Sequence, residues 1–598
     1  MASAVAYRVR LHDLHAHLFH ITLTIARPAE LQRVSLPVWI PGSYLVREFS
    51  KHLQKLQAHQ QRQAVVLTQL DKCTWQVACT NKSPLVLTYE VYAFDNSVRT
   101  AWLDPARGFF NGTGLLLRVQ GQEATPHTLE LVPHKAVPGW QVATGLTAYK
   151  INKNGFGTYH AADYDELVDC PVEMGTFWSG SFKAGGINHR FVVAGAPSSF
   201  DGAQLLADTQ AICEAEIKLW HGPKRSTRAL NKPPHANYLF MLNAVDDGYG
   251  GLEHRNSTAL ICTRKDLPRL VCAAAATGAK PRQPEGYTTL LGLISHEYFH
   301  TWNVKRLRPA ELARYDYSQE NYTQLLWFFE GFTSYYDDLL LRRAGLLDDA
   351  LYLKLLTKTI NQVLQTPGRA VQSVAQASFD AWVKYYRPDE NTPNATVSYY
   401  SKGALVALCL DLTLRQAGTT TLDAVMRGLW LRCQGGPMTQ DDLLAVLHAL
   451  GGRSFEAELN QWVHGTADLP LKALLEAHGV SVLEEPAQLA QRLGLRVTET
   501  NGLHIKVVLR EGAAEQAGFA AGDEWLGLTV GKGKQASHWR LAKLDDVPLY
   551  AGTATELGAL VSRDKRLLHL SLSLPQELTT WRLVARDPER VGAWLDSA

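Results

Sequence analysis

The first residues whose types and spacing could do chemistry together are His296, Glu297 and His300. They lie within Leu293-Ile294-Ser295-His296-Glu297-Tyr298-Phe299-His300-Thr301-Trp302. On a helix, positions four apart share a face, so both imidazoles can address one ion. Glu297 stands one residue round from His296, where it can touch a water on that ion without being a ligand. With 21 histidines in 598 residues, chance gives such a His-Glu-x-x-His about 0.04 times per chain. The competing reading is a solvated helix face that happens to carry two histidines. Apolar residues flank the motif, which favours a helix buried beside a cleft.

Zinc takes a third protein ligand and leaves its fourth position to water. The segment Trp327-Phe328-Phe329-Glu330-Gly331-Phe332-Thr333-Ser334-Tyr335-Tyr336 offers Glu330, an acid in a strongly apolar helix. A buried carboxylate needs a partner, and a metal is one; a core salt bridge is the other. Asp337, two helical turns on, reads either as an acid orienting a ligand histidine or as a solvated side chain. One zinc ion per chain is expected, held by His296, His300 and Glu330.

These residues need helices to carry them, and the periodicity supplies helices over Thr288–Asn303, Thr323–Ala344, Ala350–Gln365, Ser401–Gln416, Thr439–Leu450 and Phe455–Val463. Ahead of them, residues 1–175 read as strands: Tyr7–Leu11, His17–Ile25, Val34–Ile40, Leu85–Phe94 and Leu115–Val119, parted by turns such as Pro41-Gly42-Ser43. Residues 176–270 mix strands (Phe191–Val193, Tyr238–Leu242) with a helix over Gly202–Leu219. From about residue 480 short strands return, clearest at Leu503–Leu509 and Leu567–Leu574.

His-Glu-x-x-His followed by Trp-x-x-Glu-Gly resembles the gluzincin metallopeptidases. The gap from His300 to Glu330 is longer than in their common aminopeptidase branch. The closer resemblance is to the glycyl aminopeptidase family with a C-terminal PDZ domain, carried by Trp39-Ile40-Pro41-Gly42-Ser43-Tyr44, by His296–Pro309, by Trp327–Tyr336 and by the domain order. It covers nearly the whole chain. It implies a multidomain fold: a β-rich N-terminal domain (1–175), a thermolysin-like α+β, largely helical zinc peptidase domain (176–478) and a PDZ domain with a C-terminal tail (479–598).

The same resemblance implies further roles. Gly250-Gly251-Leu252-Glu253-His254, before an expected strand Thr258–Cys262, is similar to the Gly-x-Met-Glu-Asn loop whose glutamate binds the substrate's free amine. That role falls to Glu253, with Gly250 and Gly251 beside the substrate and His254 where related enzymes have Asn. Tyr399-Tyr400-Ser401-Lys402-Gly403 is similar to Tyr-x-Lys-Gly, which picks Tyr400 as the hydrogen-bond donor to the oxyanion, with Tyr399 its neighbour. Arg492-Leu493-Gly494-Leu495 and Gly512–Asp523 resemble a bacterial PDZ domain, which would capture a peptide C-terminus by strand addition. A long connection, Thr529–Leu541, departs from that pattern. The implied activity is a zinc aminopeptidase favouring small N-terminal residues such as Gly or Ala. The rivals are a zinc endopeptidase and a PDZ-led peptide-binding scaffold with a silent metal site.

Lys305, Arg306 and Arg308 follow the motif and could bind a substrate carboxylate; cations solvated at a helix end are the simpler reading. Charge is balanced, 60 basic against 58 acidic residues for a net of +2, which gives no argument for nucleic acid or an acidic membrane as partner. Eight cysteines with no Cys-x-x-Cys suit reduced, mostly buried thiols. No apolar run could span a bilayer, Val271–Gly278 being far too short. With no signal peptide evident, the cytoplasm is expected.

Overall fold

The computed structural model describes residues 4–222, 232–270, 285–575 and 578–596. The chain divides into two compact units. One comprises Met1–Tyr322 with Arg343–Leu346 and Met426–Asp442; the other comprises Thr323–Arg342, Leu347–Val425 and Leu443–Ala598.

The first unit opens with the expected strands. Val5–Asp13 and Leu18–Ile25 pair antiparallel inside an eight-stranded sheet, accompanied by two four-stranded sheets. Alternate residues Phe19, Ile21, Leu23 and Ile25 are fully buried, so the period of two turns one face of the strand to the core. The strand expected over Val34–Ile40 is Leu31–Ser35 instead. Pro37 has no N–H for a ladder, and the chain leaves the sheet ahead of it. Of Leu115–Val119 only Arg118–Val119 pairs as a strand; Gly112–Leu115 forms a short helix.

Residues from 178 build a five-stranded sheet in the order Trp178–Ala184, Ile187–Ala194, Asn237–Val245, Ser257–Thr263, Gly250–Glu253. The middle three strands are parallel, and the helix Gly202–His221 lies between the first two of them in sequence, as a parallel crossover requires. Gly250-Gly251-Leu252-Glu253, expected as a loop before a strand, is itself the edge strand, antiparallel to Ser257–Thr263. The motif helix spans Glu285–Phe299, and His300 extends its last turn by donating its N–H to the His296 carbonyl at 3.3 Å.

The second unit is helical and then returns to strands. Leu326–Arg343, Asp349–Leu364 and Ser401–Ala417 lie close to their expected bounds. The helix expected over Phe455–Val463 is a short Glu456–Leu459 turn running into a π turn, Asn460–His464. Two motif glycines explain how the first and third of these helices meet. A Cβ on Gly331 would lie 2.5 Å from Gly403 Cα, and one on Gly403 would lie 2.5 Å from the Trp327 carbonyl oxygen. The helices therefore touch backbone to backbone.

Residues beyond 480 form a six-stranded sheet whose edge strand, Leu495–Thr498, follows directly on Gly494 in the left-handed conformation (φ 71°). The connection Thr529–Leu541 contributes a further strand, Ser537–Arg540, paired with Glu524–Val530. Val480–Pro486 and Thr579–Ala585 pair separately. No described helix is long and apolar enough to cross a membrane. None of the seven described cysteines forms a disulfide; Cys272 and Val271–Gly278 lie outside the described residues.

Replacing Gly403 by Ala should lower unfolding stability by about 1–3 kcal/mol, the usual cost of forcing atoms into a filled space. Gly139, where an added Cβ meets nothing within 4 Å, should accept Ala without loss. Urea midpoints of the two variants test this; equal midpoints would contradict the backbone contact.

Candidate metal centre and substrate cleft

The motif helix turns three of its residues to different tasks. His296 and His300 approach ring to ring, centroids 4.7 Å apart and planes at 86°. His300 Nδ1 sits 2.7 Å from the Asn303 carbonyl oxygen. A carbonyl only accepts, so Nδ1 carries the proton and Nε2 keeps the lone pair that a metal uses. Tyr298, at the motif's third position, is anchored from behind. His189 Nδ1 lies 3.0 Å from the Ile187 carbonyl, which leaves its Nε2 to accept from the Tyr298 hydroxyl at 2.9 Å. Burial lowers the His189 pKa to about 4, so the ring is neutral and this polarity holds.

One ligand atom from each of His296, His300 and Glu330 lies within 4.8 Å of the other two. His300 and Glu330 are almost wholly buried, whereas His296 is partly accessible. Two imidazoles and a carboxylate form a donor set that suits zinc with one position left open. Glu297 is buried, and its carboxylate is pressed against the edge strand: a Cβ on Gly251 would stand 2.1 Å from Glu297 Oε1. Any side chain there would push the carboxylate from this position. Glu253, two residues along that strand, is likewise buried, and its carboxylate packs on the Gly42 turn, where an added Cβ would come within 2.4 Å. Gly42 holds φ 90°, so its turn and its close approach both demand glycine. Trp39 fixes this turn by donating Nε1–H to the Asp316 carbonyl at 2.7 Å.

Tyr400 caps the Ser401–Ala417 helix and stacks on Tyr399 (4.8 Å) and Tyr385 (5.4 Å). Burial, and secondarily the Glu330 charge, push its pKa well above 10, so the phenol keeps its proton and can donate it in a hydrogen bond. Tyr399 is fully buried, whereas Tyr400 is partly accessible. Asp337 is half-buried on the Glu330 helix.

The expectation of solvated cations after the motif is overturned. Lys305 is 2% exposed and pairs with Asp169 at 2.8 Å. Arg306 donates to the carbonyls of Arg255, Thr301 and Pro234 at 2.8–2.9 Å, and burial lowers its pKa to about 10. Arg308 is buried with its guanidinium over the Tyr315 ring at 5.1 Å. The helix end does not run into water because the chain reverses at once. Val304 adopts φ 108°, a strained value for a β-branched residue, and bonds back to Leu307. That reversal drives Lys305 inward. Asp169 receives it together with His254 Nδ1 (3.3 Å) and the Arg255 N–H (2.9 Å). Burial alone would raise the Asp169 pKa, but Lys305, His254 and Arg255 overrule it and hold the acid ionised well below its usual range. His254, the departure from Asn, thus packs on Asp169.

Sequence reasoning missed Asp169, Val304 and His189. Each acts through a partner more than 50 residues away or through a backbone angle, and neither leaves a local signature.

Two domain families match the sequence: the Peptidase M61 N-terminal domain over residues 6–176 and M61 glycyl aminopeptidase over residues 289–406. Among solved structures, an aminopeptidase N family protein from Idiomarina loihiensis is 36% identical with a TM-score of 0.90, across 99% of this chain and 100% of that one. The M1 zinc metallopeptidase from Deinococcus radiodurans is 14% identical with a TM-score of 0.46, across 78% of this chain and 94% of that one. No curated protein sequence matches.

Changing Asp169 to Asn leaves the Lys305 ammonium buried without its counter-charge and should cost about 3–5 kcal/mol of stability. Adding Lys305→Met should recover a large part of it. Denaturant unfolding of the single and double variants decides: an additive, larger loss in the double variant would refute the pairing.

Proposed function

Because the chain belongs to the same family as the Idiomarina protein, carries the N-terminal and peptidase domains of the M61 peptidases and is a metallopeptidase, we propose that it is a zinc aminopeptidase. In this reading it removes small N-terminal residues such as Gly or Ala from peptides. The observation that carries the reading is the grouping of ligand atoms from His296, His300 and Glu330, with Glu297 on the same helix. One zinc ion bound by these three residues would supply a Lewis acid and a water acidified toward neutral pH.

The protein's own residues do the rest. Glu297 accepts the proton of the attacking water and passes it to the leaving amine. Its carboxylate is held on the face of the edge strand by the missing side chain at Gly251. Tyr400, kept protonated by burial and Glu330, donates a hydrogen bond to the oxyanion. Glu253 pairs with the substrate ammonium, and the Gly42 turn behind it restricts room at the first residue. Gly250 and Gly251 let the substrate backbone lie close to the strand. Residues 479–598 serve as a PDZ module, in which the edge strand Leu495–Thr498 takes a peptide C-terminus by strand addition. The free thiols of the described cysteines suit a cytoplasmic setting.

Metal analysis and turnover separate the roles. Glu330→Ala should lose most of the zinc. Glu297→Gln should keep zinc and lose nearly all turnover, because an amide cannot take the water's proton. Full metal in Glu330→Ala, or near-normal turnover in Glu297→Gln, would remove that residue from its role.

Free and N-acetylated peptides test the amine pairing. Acetylation removes the charge and adds bulk where Glu253 stands, so wild type should cleave Gly- and Ala-initiated peptides and leave the acetylated forms nearly intact. Glu253→Ala should harm the free-amine substrates more. Efficient cleavage inside an acetylated peptide would establish an endopeptidase instead.

A further inference from the structure

The edge strand carries a cation that the aminopeptidase reading does not use. Arg99, from the N-terminal β-rich region, donates Nη2–H to the Gly251 carbonyl at 3.1 Å. A Cβ on Gly250 would lie 3.6 Å from its Nη1. The guanidinium thus lies along the two glycines, which put no side chains of their own in its way. Among the described residues no carboxylate pairs with it, and its Nε is buried without a hydrogen-bond partner. A half-buried guanidinium without a counter-ion is costly, and an anion brought by a ligand would relieve that cost.

Position says which anion. Along one edge strand stand Glu253, then Gly251 with Glu297 against it, then Arg99 beside Gly251 and Gly250. Glu253 and Gly250 are three residues apart, about 10 Å at the rise of a strand. An extended dipeptide spans about 7 Å and a tripeptide about 10 Å. Chaining the 3.1 Å hydrogen bond and the 2.1 Å approach through standard backbone bonds puts Arg99 Nη2 no more than about 9 Å from Glu297 Oε1. A carboxylate one or two residues beyond the scissile bond falls within that distance.

We propose that Arg99 recognises the free C-terminal carboxylate of the substrate, so that the enzyme's preferred substrates are zwitterionic di- and tripeptides held between Glu253 and Arg99. The proposal rests on the aminopeptidase reading and names its substrate class. Lys305, Arg306 and Arg308 are each already engaged, with Asp169, the Arg255 carbonyl and the Tyr315 ring.

The test compares Ala-Ala and Ala-Ala-Ala with their C-terminal amides in zinc-loaded wild type, Arg99→Gln and Arg99→Lys. A charge-assisted contact of ordinary strength should give wild type about a tenfold or larger preference for the free acids, seen mainly in KM. Arg99→Gln should erase the preference by weakening only the acids, and Arg99→Lys should restore part of it. If Arg99 merely pins the edge strand, acids and amides will lose activity in parallel, and the proposal falls. Calorimetric titration of the same four peptides into Glu297→Gln protein, with and without Arg99→Gln, reads the contact without turnover. Equal affinity for acid and amide would overturn the proposal while leaving the aminopeptidase reading intact. Wild type that cleaves none of the four peptides would overturn the aminopeptidase reading instead, and the titration would still decide Arg99.

Discussion

The interaction on which this structure depends is the burial of charge. Glu253, Glu297 and Glu330 are each no more than 5% exposed. An ionised carboxylate stripped of water costs several kcal/mol unless something opposite replaces the lost solvation. The folded protein answers with neighbours assembled from far along the chain. Imidazoles stand near Glu330, and the positive field of Lys305 reaches Glu253. The strained backbone at Val304 belongs to the same balance. It stores energy in order to place a lysine beside Asp169, and the buried pair offsets that strain.

Glycine is the second means by which the site is built. At Gly251, Gly331 and Gly403 the gain is proximity: a carboxylate against a strand, a helix against a helix. At Gly42 it is proximity together with a left-handed turn. In each case the absence of a side chain sets a short distance, and residues close by in sequence (Glu330 next to Gly331, Tyr400 three before Gly403, Trp39 three before Gly42) are located with it.

What could be read in advance followed from periodicity and local spacing. The helix carrying His296 and His300 was legible because residues four apart share a face whatever the surrounding fold. Strands such as Leu18–Ile25 were legible from alternation. Glu330 could be singled out because a lone acid in an apolar helix asks for a partner. The fate of Lys305, Arg306 and Arg308 was not legible, because it turns on one dihedral angle at Val304 and on Asp169, 136 positions earlier in the sequence. The edge strand Gly250–Glu253 was hidden for a related reason: two glycines carry no strand preference, and only pairing with Ser257–Thr263 makes them extended.

The contact between Gly331 and Gly403 has a mechanical consequence. Side-chain interfaces between helices yield as rotamers change, but two backbones in direct contact have no soft layer between them. Glu330 directly precedes Gly331, and Tyr400 stands three residues ahead of Gly403, so the backbones that carry them move as one stiff body. Thermal motion can shift that body as a whole, yet it has little freedom to change the spacing between its two parts.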